Sequence, residues 1–313
     1  MNKIPVVFSF DDNMLLPAGV CISSLLVHAA PDTYYDIFIL HDDKSIFPKS
    51  GFLERLFDRY NNLKITYKNI ADHFRGAFET RGISIATYYR LLIPEVVTEY
   101  KKVMYHDVDL IFRSDLAGIF METDLCNSYV AGVRSPGGLD AEVKLYREGL
   151  GLDCTRYILA GDIILNLELM RRDRLVERFK KEVENHSYRY QDMDVLNLVC
   201  KGKISFLPPS FCGTAEIFRL AAYRIVQPFY SPSELAELQR EGIVHYNGVK
   251  PWRAYCPNFD IWWQYYRQSV FYDPQYYFDF FHKKLDEYDS LPFWKRVKIL
   301  LRFFKPDKKM IHG

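Results

Sequence analysis

The run Val6-Val7-Phe8-Ser9-Phe10-Asp11-Asp12-Asn13 decides the fold class. Its first five residues are almost continuously apolar, as in a strand buried on both faces, and the acidic triplet stops it abruptly. Residues 15–28 then carry helical spacing. Tyr35-Asp36-Ile37-Phe38-Ile39-Leu40 is a second strand, residues 51–61 a helix, and Lys64-Ile65-Thr66-Tyr67 a third strand. Strands alternating with helices at this spacing predict βαβ units and a mostly parallel sheet. Ligands of such sheets bind beyond the carboxyl ends of the strands, which is where Asp11-Asp12-Asn13 falls. An ordinary helix N-cap has the same composition, so the triplet by itself does not choose between a binding turn and a cap.

Further along, residues 86–99 are expected to be helical. Lys102-Val103-Met104-Tyr105-His106-Asp107-Val108-Asp109-Leu110-Ile111-Phe112 is expected to be a strand running into acidic residues. Residues 157–167 suit a second central strand. Residues 134–156, with Pro136-Gly137-Gly138 and Gly149-Leu150-Gly151, have the composition of a long mobile connection of the kind that forms lids. The aromatic stretch 259–281 is expected to form helices packed back on the preceding domain. These readings divide the chain into a catalytic domain, 1–258, and a C-terminal helical extension, 259–313.

The whole composition narrows the class. Of 313 residues, 49% are apolar and 26% charged, as in a soluble globular protein. Forty-one basic residues against 40 acidic ones give a net charge of +1, without the basic excess that nucleic-acid binding requires. Six scattered cysteines form no Cys-x-x-Cys pair and fit a reducing cytoplasm. The apolar start is cut off at Asp11 before a signal-peptide core is complete, and no apolar stretch reaches the ~18 residues of a membrane span.

Asp107 and Asp109 are two apart, so on extended backbone both carboxylates leave the same face. Like charges that close repel unless a cation joins them, and oxygen ligands suit Mg²⁺ or Mn²⁺. The triplet alone carries little, because Asp192-Met193-Asp194 repeats it in the same chain and a solvated strand end would have the same sequence. Position adds weight: an apolar strand delivers Asp107 and Asp109 to its carboxyl end. His106 points to the opposite face, so a further ligand must come from elsewhere. His245 is a candidate. It lies in Gly242-Ile243-Val244-His245-Tyr246-Asn247-Gly248-Val249-Lys250-Pro251-Trp252, where Gly248 permits close backbone approach and Lys250 can neutralise phosphate.

Six blocks in order resemble glycosyltransferase family 8, the GT-A-fold family of retaining enzymes that includes bacterial lipopolysaccharide galactosyl- and glucosyltransferases and glycogenin. They are Phe8-Ser9-Phe10-Asp11-Asp12-Asn13, Ser84-Ile85-Ala86-Thr87-Tyr88-Tyr89-Arg90-Leu91, Val103-Met104-Tyr105-His106-Asp107-Val108-Asp109, Ala160-Gly161 with Leu165-Asn166-Leu167, Tyr190-Gln191-Asp192-Met193-Asp194-Val195-Leu196-Asn197, and His245-Tyr246-Asn247-Gly248 with Lys250-Pro251-Trp252. The resemblance implies an α/β GT-A fold with one Rossmann-like, mixed but mostly parallel sheet. It implies a UDP-hexose donor, a saccharide or glycolipid acceptor, and Mn²⁺ (or Mg²⁺) held by Asp107, Asp109 and His245. Ser9, Asp11 and Asn13 would contact the uridine, Arg90 and Val108 would lie at the donor, and Gly248 and Lys250 would hold the diphosphate. Asp192 and Asp194 take the catalytic places at the donor sugar.

Three departures from the family pattern stand out. Met14 replaces an aromatic that would stack on uracil, and Leu159 followed by Ala160-Gly161-Asp162 replaces Asn before Ala-Gly and an apolar residue after it. Met193 replaces the amide between the two aspartates, so a double displacement through residue 193 lacks a nucleophile. The rival reading is a noncatalytic nucleotide-sugar-binding protein of the same fold. In residues 291–313, seven basic side chains face one acid. There Phe293, Trp294, Val297, Leu300, Leu301 and Phe304 recur at helical spacing, with Lys295, Lys298, Arg302 and Lys305 mostly off that face. This predicts a helix attached peripherally to an anionic membrane on its cytoplasmic face, or one docked on the catalytic domain.

Overall fold

A computed structural model of the chain describes residues 1–71, 85–222 and 229–302. Ser84, Phe304, Lys305, Lys308 and Lys309 lie outside them. Seven strands form the main sheet: β1 (Asn2–Ser9), β2 (Thr33–His41), β3 (Leu63–Asn69), β4 (Lys102–His106), β6 (Val130–Arg134), β7 (Ile158–Asn166) and β8 (Ile204–Leu207), in the order β3-β2-β1-β4-β7-β6-β8. β7 runs antiparallel to both its neighbours, and the other four pairings are parallel. A small sheet joins β5 (Leu110–Ile111), β10 (Val244–His245) and β9 (Gly213–Thr214).

Successive side chains of β1 alternate between two cores, as the period of a strand requires. Ile4, Val6 and Phe8 join Ile22 and Leu25 of the helix Leu15–Val27 on one face. Val7 joins Tyr105, Ile163 and Leu196 on the other. With both faces covered, β1 and β2 carry unbroken apolar runs. A third core gathers Val20, Ile111, Val244 and Tyr246 with Trp262, Trp263 and Tyr266 of the helix Phe259–Gln268. The first helix of the extension therefore shares a core with elements before residue 258.

Several expected elements differ. The strand expected over 102–112 breaks at Asp107, where the chain leaves the main sheet as β4 and enters the small one as β5. In place of a helix over 51–61 there is a 3₁₀ segment, Leu53–Asp58, with no side-chain cap to start an α-helix. The helix expected over 86–99 is the 3₁₀ run Ile85–Leu92 followed by the short helix Ile93–Val96. Pro94 explains the division, since it has no N–H for the Arg90 carbonyl. Residues 134–156 are not an irregular connection: Asp140 caps the helix Ala141–Gly149 by accepting from the backbone N–H groups of Glu142 and Val143. Arg147 of that helix is buried over the Tyr157 ring, 3.7 Å from its centroid.

Beyond Gln268, the helix Pro274–Asp289 buries no residue fully, and Phe278 is exposed. The helix Phe293–Arg302 leaves Phe293, Trp294, Leu300 and Leu301 half or more exposed. No helix among the described residues is long and apolar enough to cross a membrane.

Candidate active site

The site begins where β4 ends. The Asp107 N–H donates to the Gly161 carbonyl (2.8 Å), and two residues on the Tyr246 N–H donates to the Asp109 carbonyl (2.8 Å), so the Asp107–Asp109 bend is clamped between β7 and β10. His245 Nε2 faces the bend, 3.3 Å from Asp109 Oδ1 and 3.7 Å from Asp107 Oδ2. One ligand atom from each of the three residues lies within 4.8 Å of the others. Gly161 makes this closeness possible. A Cβ there would stand 2.4 Å from His245 Cε1 and 2.7 Å from Asp107 Oδ2.

Two carboxylates and one imidazole suit Mn²⁺ or Mg²⁺, and the electrostatics agree. Burial pushes the Asp107 carboxyl up, and Asp109 adds to this against the pull of Arg90 and His245. Burial acts the same way on Asp109, but Lys250 and His245 outweigh it and hold that carboxyl well below its usual range. His245 is opposed by burial yet raised well above an ordinary imidazole by Asp109 and Asp162. Positive charge is thus favoured at Nε2, between the two carboxylates. Lys250 pairs with Asp109 and also donates to the Tyr246 carbonyl (2.6 Å).

A third carboxylate, Asp192, joins through Arg90, which is buried and lies over the Tyr105 ring. Its Nη2 donates to Asp107 Oδ1 (2.8 Å), its Nε lies 3.0 Å from Asp192 Oδ2, and its Nη1 donates to the Ala160 carbonyl (2.6 Å). Thr87 Oγ1 donates to Asp192 Oδ1 (2.6 Å). Just before Asp192, Gln191 is buried with φ of +43°, a left-handed conformation that costs a non-glycine residue ~1 kcal/mol or more. Burial pushes the Asp192 carboxyl up against the opposing pull of Arg90.

Asp194 is placed differently. Its carboxylate is fully buried and accepts from the Tyr157 hydroxyl (2.5 Å), the Tyr146 hydroxyl (2.7 Å) and the Tyr190 N–H (2.9 Å). At the end of β1, Ser9 Oγ donates to the Ala86 carbonyl (3.0 Å), and Asp11 caps the turn Asp12–Met14 by accepting from the Asn13 N–H. Asp12, to which sequence gave no separate role, accepts from the backbone of Ile46 and Phe47 and ties the loop after β2 to this turn. Val108 is buried in the core behind the bend. Gly248 is exposed beside Lys250, and a Cβ there would meet nothing within 4 Å, so crowding within the protein does not require glycine.

Sequence reasoning missed Thr87, Tyr105 and the role of Asp162. Asp162 Oδ2 lies 2.7 Å from His245 Nδ1, and its Oδ1 lies 2.6 Å from His106 Nδ1. Burial works against its charge, yet His245 and His106 hold the carboxyl down at about 2. His106 does leave the face opposite Asp107, as expected, but reaches the site through this carboxylate. The signal was available in part, since Asp162 breaks an otherwise apolar strand.

Residues 5–256 match the profile of glycosyl transferase family 8, a span that holds every residue of the site. The chain belongs to that family. A "Putative glycosyltransferase" of Haemophilus influenzae is 32% identical over 134 residues, covering 41% of this chain and 39% of its own length, so the chain spans well under two thirds of that relative. The "Lipopolysaccharide 1,3-galactosyltransferase" of Salmonella typhimurium is 23% identical over 264 residues, 81% of this chain and 74% of the relative. Among solved structures, the galactosyltransferase LgtC in complex with donor and acceptor sugar analogues superposes with a TM-score of 0.75 at 24% identity, over 87% of this chain and 99% of its own. The family 8 chain has the GT-A fold of that structure.

Proposed function

We propose that this family 8 chain is a metal-dependent, anomer-retaining hexosyltransferase that moves galactose or glucose from a UDP-sugar to a saccharide or glycolipid acceptor in bacterial surface-glycan synthesis. The observation that carries the proposal is the convergence of Asp107, Asp109 and His245 beside Lys250 and the Arg90–Asp192 pair. Asp107, Asp109 and His245 would hold Mn²⁺ or Mg²⁺, which when bound supplies Lewis-acid stabilisation of the departing diphosphate. Lys250 exchanges its Asp109 partner for the diphosphate, and the open backbone at Gly248 lets that group approach. Ser9, Asp11 and Asn13 line the uridine subsite, and Val108, buried behind the bend, anchors the backbone that presents the two aspartates to the donor. Arg90 keeps Asp107 and Asp192 in fixed relation, and Asp192 accepts a hydrogen bond from a donor-sugar hydroxyl. Asp194 contributes by fixing the backbone that presents Asp192.

UDP release from a panel of UDP-sugars with Mn²⁺, with and without saccharide acceptors, tests this. Release is expected with UDP-galactose or UDP-glucose, enhanced by a cognate acceptor. UDP binding without release across the panel would favour a noncatalytic nucleotide-sugar-binding protein instead.

The enzyme is further proposed to work in the cytoplasm, attached peripherally to the inner membrane. Exposed Phe293, Trp294, Leu300 and Leu301, with Lys295 and Lys298 on the same helix, support this. Such a helix lies in the membrane interface, and each basic residue near anionic lipid adds ~1 kcal/mol. Deleting residues 291–313 should abolish sedimentation with anionic liposomes and spare UDP-sugar hydrolysis. Equal liposome binding by both proteins would refute the attachment.

A further inference from the structure

Asp162 and His106 stand opposite each other in the β4–β7 ladder, so both side chains leave the sheet on one face. Neither is exposed at all. The Phe8, Phe112 and Phe211 rings lie around the His106 imidazole at centroid distances of 6.5, 4.9 and 5.1 Å. An aromatic box is an expensive place for a carboxylate and a histidine, and His106 Nε2 has no hydrogen-bond partner among the described residues. Well-packed apolar side chains of similar volume are often as stable as a buried ion pair or more so, so the pair is weak evidence for a role in stability.

The directions of the hydrogen bonds suggest what does. A carboxylate only accepts, so His106 Nδ1 donates to Oδ1 and His245 Nδ1 donates to Oδ2. With Nδ1 committed as a donor, the lone pair available for a metal ion on His245 is at Nε2, the nitrogen that faces Asp107 and Asp109. Cys212 Sγ also lies near Nδ1, at 3.7 Å, a weak partner at a longer distance.

We infer that Asp162, anchored by His106, is a positioning residue that fixes the ring orientation and tautomer of His245 for metal binding. Partners of this kind behind a ligating histidine are commonly worth 10–100-fold in metal affinity. The inference rests on the metal site proposed above, and it adds two residues that touch neither metal nor donor.

The test measures Mn²⁺ affinity by calorimetry for the full chain, Asp162→Leu and the double variant His106→Leu/Asp162→Leu, with His245→Ala as the benchmark for losing the ligand. The double variant guards against misfolding, because it replaces the polar pair with an apolar one, and its melting temperature is measured alongside. Both leucine variants are expected to bind Mn²⁺ at least 10-fold more weakly. Proton NMR of the metal-free protein should show downfield imidazole N–H resonances from His106 and His245 that disappear together in Asp162→Leu. Wild-type Mn²⁺ affinity in a folded double variant would overturn the inference and leave the metal site standing. Absence of Mn²⁺ binding by the unmodified chain would overturn both.

Discussion

The chain contains the same triplet in two settings, Asp107-Val108-Asp109 and Asp192-Met193-Asp194, and they differ in almost every physical respect. On the bend after β4 both carboxylates of the first pair face His245, with side-chain exposures of 25% and 13% that leave them accessible to a ligand. The second pair opens the helix Gln191–Val199, where residues two apart point in different directions. Asp192 turns to Arg90 and Thr87 in the site, and Asp194 turns to Tyr146 and Tyr157 in the interior. Identical spacing therefore gives a converging pair on one backbone and a diverging pair on the other. Four substitutions can break this contrast.

The largest effect is expected at Asp109. Asp109→Asn removes a proposed metal ligand and the partner of Lys250 together, so Mn²⁺-dependent UDP binding should disappear from calorimetric titrations while circular dichroism stays unchanged. The same metal dependence in the variant would show that the first triplet is only a solvated bend. Next comes Asp192→Asn, which keeps the shape but loses the charge paired with Arg90. Single-turnover transfer should slow by about two orders of magnitude with metal binding retained. A wild-type rate would move Asp192 from the chemistry to the scaffold.

How much of this was legible in the sequence follows from the same contrast. The alternation of the first three strands with helical segments predicted a mostly parallel central sheet, and β1, buried on both faces, left the clearest apolar run. Asp107 and Asp109 were paired by strand periodicity, although the strand ends at His106 and a bend presents them, and His245 was singled out by the Gly248 and Lys250 that follow it. Arg90 and Asp192 came from family resemblance. Their contact joins a 3₁₀ run to a helix 102 residues further along the chain, which no local period encodes. Asp194 was given a catalytic place by the motif; one of its three hydrogen bonds comes from Tyr146 of the helix Ala141–Gly149, in a segment whose glycines had suggested a mobile loop. The Asp162–His106 pair needed the antiparallel register of β4 and β7, which becomes visible only when the strands are paired.

Asp194→Asn tests the interior half of the second triplet. The amide nitrogen cannot accept, so one of the three donors around the carboxylate is left unpaired in a buried place, at a cost of about 1–3 kcal/mol. The melting temperature should fall by a few degrees, read by differential scanning calorimetry, with Mn²⁺ affinity unchanged. A loss of turnover as large as that of Asp192→Asn without loss of stability would return Asp194 to the chemistry.

The smallest effect is expected at Met193, between the two. Its side chain is half-buried and packs against the core that holds Val195 and Leu196, so it has a structural reason to be apolar. A thioether neither donates a hydrogen bond nor serves as a nucleophile toward an anomeric carbon under these conditions. Met193→Ala trims a partly exposed contact and should leave single-turnover transfer within about threefold of wild type, well below the roughly 1.4 kcal/mol barrier change that a tenfold loss would require. If this variant alone abolished transfer while Asp192→Asn retained it, the division of labour would be inverted, with residue 193 rather than its acidic neighbour controlling the donor's reactive face.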